Sequence, residues 1–365
     1  MKNSPKNRVW AEIDVSALRS NVSQIRRLAP EKEIIAVVKA NAYGHGDNII
    51  CPELKKAGVN FFAVSSTEEA LRVREYVPDG EVLIFGLTES PDLQAITENN
   101  FIISVPDTEY AREVSDFAIS KNINIRAHIK LNTGMNRLGI NTERELEEIL
   151  SLPGLKCEGG YTHFACSDSQ DKDDVIFTQN QHQKLLSIAR GKGLKLHSQN
   201  SAGVLYHSGF EADYVRPGLI LYGYSPDATV KPPIKLNPVM TLKSVIWQIR
   251  RLEPEDYVSY GRIYKASEGG LAAIIPVGYA DGYSRLHSNS GLVSINNTLC
   301  PVLGLVCMEM IIVDVSRVEN PKVGGEVLLY SDKHKETNIE YIAEKLGTIP
   351  YEITCAVSRR VPRVI

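Results

Sequence analysis

Long apolar runs, paired cysteines and an excess of charge are all missing from this chain of 365 residues. No apolar stretch approaches the roughly 18 residues of a transmembrane helix, so no membrane segment is expected. The opening Met1-Lys2-Asn3-Ser4-Pro5 lacks the apolar core of a secretory leader. A net charge of −3 leaves no electrostatic footprint for nucleic acid. The six cysteines (Cys51, Cys157, Cys166, Cys300, Cys307 and Cys355) are dispersed, with no CxxC pair and no histidine-rich spacing. That excludes a disulfide frame and a metal site, and the thiols read as reduced groups of a cytoplasmic protein. Neither an internal repeat nor a low-complexity tract is visible.

What is present is enough chain for two domains with sizeable cores. Apolar runs at 34–38, 60–64, 82–86, 101–104, 124–131, 158–163, 194–198 and 213–216 alternate with amphipathic stretches such as 66–76, 106–119 and 175–190. Strand–helix alternation points to a parallel sheet, and eight strands are the number that closes a barrel. A helix over 15–28 precedes them. After Tyr224 the texture changes. Ser225 to Pro233 is turn-rich, and β-like runs follow at 242–250, 271–277, 291–295, 301–306, 310–315 and 326–330, with one helix near 338–346. The expected fold is α/β: a (β/α)8 barrel over residues 1–233, then a mostly β domain over 234–365.

The most telling stretch is Ile34-Ile35-Ala36-Val37-Val38-Lys39-Ala40-Asn41-Ala42-Tyr43-Gly44-His45-Gly46. Five apolar residues form a buried strand, and a lysine stands where it ends, at the catalytic face of such a barrel. A partly desolvated amine there can lose its charge and condense with an aldehyde. Tyr43 is positioned to offer a hydroxyl to a phosphate, and Gly44 and Gly46 let backbone approach a ligand. The competing reading is a lysine reaching for solvent.

Further along, period-two alternation in Arg126-Ala127-His128-Ile129-Lys130 puts three basic side chains on one strand face. Thr133-Gly134 then turns the chain toward Arg137, whose planar guanidinium suits a carboxylate; surface pairing is the alternative. His163 and His197 fall in the sixth and seventh strand regions. Asn200 and Ser201 are N-terminal capping residues, and the same placement exposes amides and a hydroxyl to an anion. Tyr214-Val215-Arg216-Pro217-Gly218-Leu219 closes the last strand. In the second domain, the tyrosine of Val258-Ser259-Tyr260-Gly261 would ordinarily be packing.

Together these segments resemble the alanine racemases, enzymes that bind pyridoxal 5′-phosphate (PLP) on a barrel followed by a β domain. The resemblance covers nearly the whole chain. It implies that Lys39 carries PLP and exchanges a proton on the D side of an amino-acid substrate, while Tyr260 exchanges it on the L side. Two groups on opposite faces can do this without moving the substrate. Arg137 and the Met308 backbone would hold the carboxylate, with Lys130 carbamylated to fix the arginine. The phosphate would lie against Tyr43, Asn200, Ser201, Gly218, Leu219 and Tyr351. His163 would pack near the cofactor and hydrogen-bond Arg216, and His197 would orient the tyrosine. Arg216 would face the pyridine nitrogen. It will not surrender a proton, so that nitrogen stays neutral, which favours racemisation over transamination or decarboxylation. Tyr279 would line the entrance.

Two positions depart from the family pattern: Glu309 stands where Asp is common, and Leu305 where Arg is often found. They leave open a serine racemase of the vancomycin-resistance type, because a serine pocket needs a polar partner for the extra hydroxyl. A non-enzymatic PLP-binding homeostasis module resembles only the barrel, and Tyr260 argues against it. The resemblance further implies a head-to-tail homodimer with shared active sites, and a role in supplying D-alanine for peptidoglycan.

Overall fold

A computed structural model describes residues 8–89, 92–227 and 229–365. The chain divides into two compact units: Leu18–Asn237, and the described residues before Leu18 together with Pro238–Ile365. After strand β1 (Val9–Ile13) and helix α1 (Val15–Leu28), the first unit carries eight parallel strands. They are β2 (Glu33–Val37), β3 (Phe61–Val64), β4 (Glu81–Ile84), β5 (Ile102–Val105), β6 (Ile125–Lys130), β7 (Leu155–Tyr161), β8 (Lys195–His197) and β9 (Tyr214–Val215). Their order runs β8 to β2 without interruption and then β9. The last seam, β8 against β9, is held by Asp213 N–H donating to Leu196 O and Arg216 N–H to Gln199 O, both 2.9 Å. The strands form a nearly closed barrel, each near its expected position.

Buried on both faces, β2 to β5 are nearly continuous apolar runs, as parallel strands covered by helices must be. Except for α2 (Lys39–Tyr43), α3 (Asp47–Lys56) and α5 (Leu93–Glu98), the intervening helices start at capping side chains: Ser66 for α4 (Thr67–Tyr76), Asp107 for α6 (Thr108–Lys121), and a Thr142–Glu145 capping box for α7 (Glu143–Ser151). Helix α8 (Lys172–Ala189) is capped by Asp171, and α9 (Ser201–Tyr206) by Asn200. The interior beside β6 to β9 is polar and layered. Arg126 binds Glu81 and Glu158 at one end, His128 meets His197 in the middle, and Lys130 ends the strand.

In the second unit β1 runs antiparallel to β10 (Met240–Val245) and parallel to β19 (Arg363–Val364). The six-stranded sheet is completed by β15 (Leu292–Ile295), β16 (Thr298–Pro301) and β18 (Glu326–Tyr330). A three-stranded sheet pairs β11 (Gln248–Leu252), β14 (Gly270–Ile275) and β17 (Ile311–Asp314), and β12 (Tyr257–Val258) pairs with β13 (Tyr264–Lys265). Three expectations change here. Residues 9–13, not read as a strand and lying within the range 1–233 given to the barrel, form β1 in this sheet. The run 242–250 is two strands in different sheets. The run 301–306 is mostly irregular, because Gly304 turns the chain at φ +73° where a Cβ would lie 2.5 Å from Val258 O. A second helix, α11 (Pro350–Ala356), follows α10 (Ile339–Leu346); its sequence signal was a proline at the first turn with Glu352 behind it.

Candidate active site

Beyond β2 the backbone does something no local preference favours. Ala40, Asn41, Ala42 and Tyr43 all have φ of 52–55°, so Lys39 opens a left-handed helical turn. L-residues resist this by roughly 1–2 kcal/mol each. Such a conformation persists only when its surroundings over-determine it. Here they do. Glu69 accepts from Ala40 N–H at 2.7 Å with one carboxylate oxygen and from Ser65 N–H at 2.9 Å with the other. Asn41 accepts from Asp47 N–H, and the buried His45 ring bonds through Nδ1 to the carbonyls of Ala42 and Tyr43. The turn sends Tyr43 back against the barrel, where a Cβ at Gly218 would stand 2.5 Å from its hydroxyl. Gly218 N–H in turn donates to Ser201 Oγ at 2.9 Å. Three expected anion-binding residues, from three distant segments, thus meet at one point. Asn200 caps α9 beside them, itself held by Ser167, and Leu219 follows Gly218 into a short 3-10 turn.

A cationic cluster lies within the same unit. Lys39, Lys130, Arg137 and Arg216 all act on the His163 ring, which together with burial holds its pKa well below the ordinary value. Burial first, then Arg216 and Arg137, bring the Lys130 amine down to about 7. Its Nζ donates to Leu131 O at 2.8 Å and sits 5.4 Å from the Tyr161 ring centroid, with Arg216 also 5.4 Å from that ring. No carboxylate among the described residues pairs with Lys130 or Arg137. Arg216 is buried and, among the described residues, bonded only to neutral acceptors: Thr162 O at 2.7 Å, Ser198 O at 3.0 Å and His197 Nδ1 at 2.9 Å. Burial lowers its pKa to about 10, so the charge stays. The imidazole expected beside Arg216 was His163; the structure puts His197 there, because β8 neighbours the arginine across the barrel's last seam.

The second unit gathers the other expected residues on loops that brace one another. Tyr260 is presented between Ser259 at φ +66° and Gly261 at φ +69°. Ser259 Oγ donates to Leu305 O at 2.6 Å, which ties this strained turn to the loop before Met308. Tyr279 N–H donates to Cys307 O and Ala280 N–H to Met308 O, both 3.1 Å. A Cβ at Gly278 would overlap the Cys307–Met308 backbone. Beneath lies a ring of alternating charge. Fully buried Asp281 accepts from Arg8 at 2.8 Å and Arg360 at 2.9 Å, and both arginines also hold Glu309. The bonds from Arg360 keep the Glu309 carboxyl below its usual range. Tyr351 sits on α11, whose end at Ala356 abuts Gly282. Tyr260, Met308 and Tyr279 are 70, 54 and 44% exposed.

Several supporting residues escaped the sequence reading. Glu69, Arg8 and Arg360 bear no motif, and His45, though within the Lys39 stretch, was given no role. Gln181 ties the His163 carbonyl to Thr133 through its amide, and only a buried glutamine in mid-helix hints at it.

Residues 13–226 match the family described as the N-terminal domain of alanine racemase, and residues 239–365 match its C-terminal domain. The chain is 40% identical to an alanine racemase of Clostridium perfringens, over 98% of this chain and 95% of that one. The solved alanine racemase of Clostridium difficile 630 superposes with a TM-score of 0.92 at 32% identity, covering 99% of this chain and 96% of the other. That of Bartonella henselae, with covalently bound pyridoxal phosphate, gives 0.88 at 27% identity, covering 98% and 99%.

Proposed function

The chain belongs to the alanine racemase family of isomerases, and on that premise we propose that it interconverts L- and D-alanine with PLP by a two-base mechanism. One observation carries the cofactor assignment: Tyr43, Ser201 and Gly218 converge into an anion cradle in the unit that also holds Lys39 and Arg216. These residues fit PLP. The cradle suits its phosphate, Lys39 its aldehyde carbon and the donor-only guanidinium of Arg216 its ring nitrogen. When bound, PLP delocalises the electron pair left at the substrate α-carbon.

The protein's own groups do the rest. Lys39 Nζ takes or returns the α-proton on the D side, and Tyr260 Oη does so on the L side. Arg137 and the Met308 backbone hold the substrate carboxylate, a role open to an exposed arginine with no carboxylate partner among the described residues. Lys130 titrates near neutrality with no acid beside it. An uncharged amine in that setting favours the carbamate, which would neutralise the cluster and fix Arg137. Tyr260, Tyr279 and Met308 are exposed on one copy, which supports a homodimer whose β unit completes the partner's barrel site. The free state of all six thiols supports a cytoplasmic location, and the product would feed peptidoglycan assembly.

Alanine is favoured over serine because Glu309, the candidate partner for a serine hydroxyl, is committed to Arg8 and Arg360. Measuring kcat/KM for L-alanine and L-serine side by side tests this. Faster D-alanine formation is expected. Preference for serine would overturn the substrate, and racemisation of neither would overturn the function.

A further inference from the structure

The polar interior of the barrel contains a hydrogen-bonded string that the proposed proton transfers do not use. Arg216 Nη1 lies 2.9 Å from His197 Nδ1, and His197 Nε2 lies 2.9 Å from His128 Nδ1. Guanidinium nitrogens only donate, so His197 Nδ1 must accept. His197 is fully buried and faces Arg216, Lys130 and a second imidazole, conditions that keep it neutral. Its single proton therefore sits on Nε2 and is donated to His128 Nδ1, and the proton of neutral His128 is left on Nε2. The string can be written in one direction only: Arg216 to His197 to His128.

Packing holds both rings in register for it. His197 lies flat on Tyr161, with centroids 4.9 Å apart and planes 4° from parallel. His128 stands edge-on to Phe61, and a Cβ at Gly159 would come within 2.6 Å of its ring. Glycine at 159 is thus explained by the imidazole it faces. Arg216 has five N–H groups, three of which go to Thr162 O, Ser198 O and His197, leaving two for a ligand.

We propose that His128, which has no part in the proposed contacts to substrate or cofactor, is a positioning residue that locks the tautomer of His197 and thereby aims Arg216. This rests on the reading of Arg216 as the group facing the cofactor nitrogen. Without an acceptor at 128, the His197 Nε2 proton is buried and unpaired. Moving it to Nδ1 sets N–H against N–H and breaks the bond to Arg216.

Two substitutions separate this role from mere filling of space. Leucine preserves bulk but accepts nothing; asparagine is smaller, but its Oδ1 can accept where Nδ1 did. The test begins with cofactor-free protein carrying nitrogen-15 histidine. The His197 Nδ1 signal should be pyridine-like and its Nε2 signal pyrrole-like. That pattern should survive in H128N and become tautomer-averaged in H128L. In the holoenzyme, H128L should shift the cofactor absorption and slow racemisation about tenfold, the scale of one lost buried hydrogen bond. H128N should stay near wild type. A proton on His197 Nδ1 in the wild type, or H128L with an unaltered tautomer and spectrum, would overturn the proposal. So would H128N faring worse than H128L, the order that packing alone predicts. If the tautomer pattern holds but no amino acid is racemised, the functional reading fails instead.

Discussion

The two units present their candidate residues in opposite ways. In the barrel, Arg216, His197, Ser201 and Lys130 are buried, and each is held by a hydrogen bond within the unit. In the β unit, Tyr260, Tyr279 and Met308 stand out from the surface on braced turns. Burying ionisable groups is costly, and strongly perturbed ones cluster where they do chemistry. An exposed tyrosine on a strained turn is equally uneconomical unless something covers it. On the proposed function, the buried residues are a preorganised binding half of the site and the exposed ones a projecting half.

The sharpest way to break this comparison is to remove one atom from the projecting half. Tyr260→Phe should lower racemisation by about 10²–10⁴, the usual contribution of an acid–base group, while PLP remains bound. α-Deuterium washout should become strongly unequal for L- and D-alanine. Equal washout at the wild-type rate would remove the hydroxyl from the mechanism.

A smaller effect tests the buried half. A Lys130 amine that titrates near 7 in the fold, against about 10.4 when unfolded, leaves the unfolded chain with more bound protons between those values. Stability should therefore rise with pH across that window in CO2-free buffer, at up to about 1.4 kcal/mol per unit. Lys130→Met should lack this part of the slope in denaturant unfolding at several pH values. Identical slopes would mean the amine is not held uncharged.

The smallest effect concerns the left-handed turn. Ala40 is exposed at φ +53°, so glycine there relieves strain at the cost of chain entropy. Ala40→Gly should stabilise the fold by about 0.5–1 kcal/mol, read as a higher melting midpoint. A lower midpoint would mean that the turn carries no strain at this position.

How much of this was legible in the chain depends on where the controlling interactions lie. The eight barrel strands were, because parallel strands buried on both faces must be apolar runs. Lys39 at a strand end was legible as a local motif, and Tyr43, Ser201 and Gly218 were picked out together as proposed anion binders by the family resemblance. The left-handed turn was not: Ala40-Asn41-Ala42 contains no glycine, and the conformation is imposed by Glu69 and His45 through tertiary bonds. The place of His197 beside Arg216 depends on how the barrel closes, which no spacing reveals. Period two did put His128 and Lys130 on one face, but not what they meet. Strand β1 pairs across more than two hundred residues with β10, beyond any local pattern.

The central claim is that one copy's projecting half completes another copy's buried half, and subunit mixing tests it most directly. Lys39→Ala and Tyr260→Phe proteins, each inactive alone, are combined under conditions where subunit exchange is independently verified. If sites are shared, each mixed dimer holds one site with both lesions and one with neither, so activity should return. If each site is built within one copy, every site keeps a lesion, and a mixture that stays inactive would contradict the account.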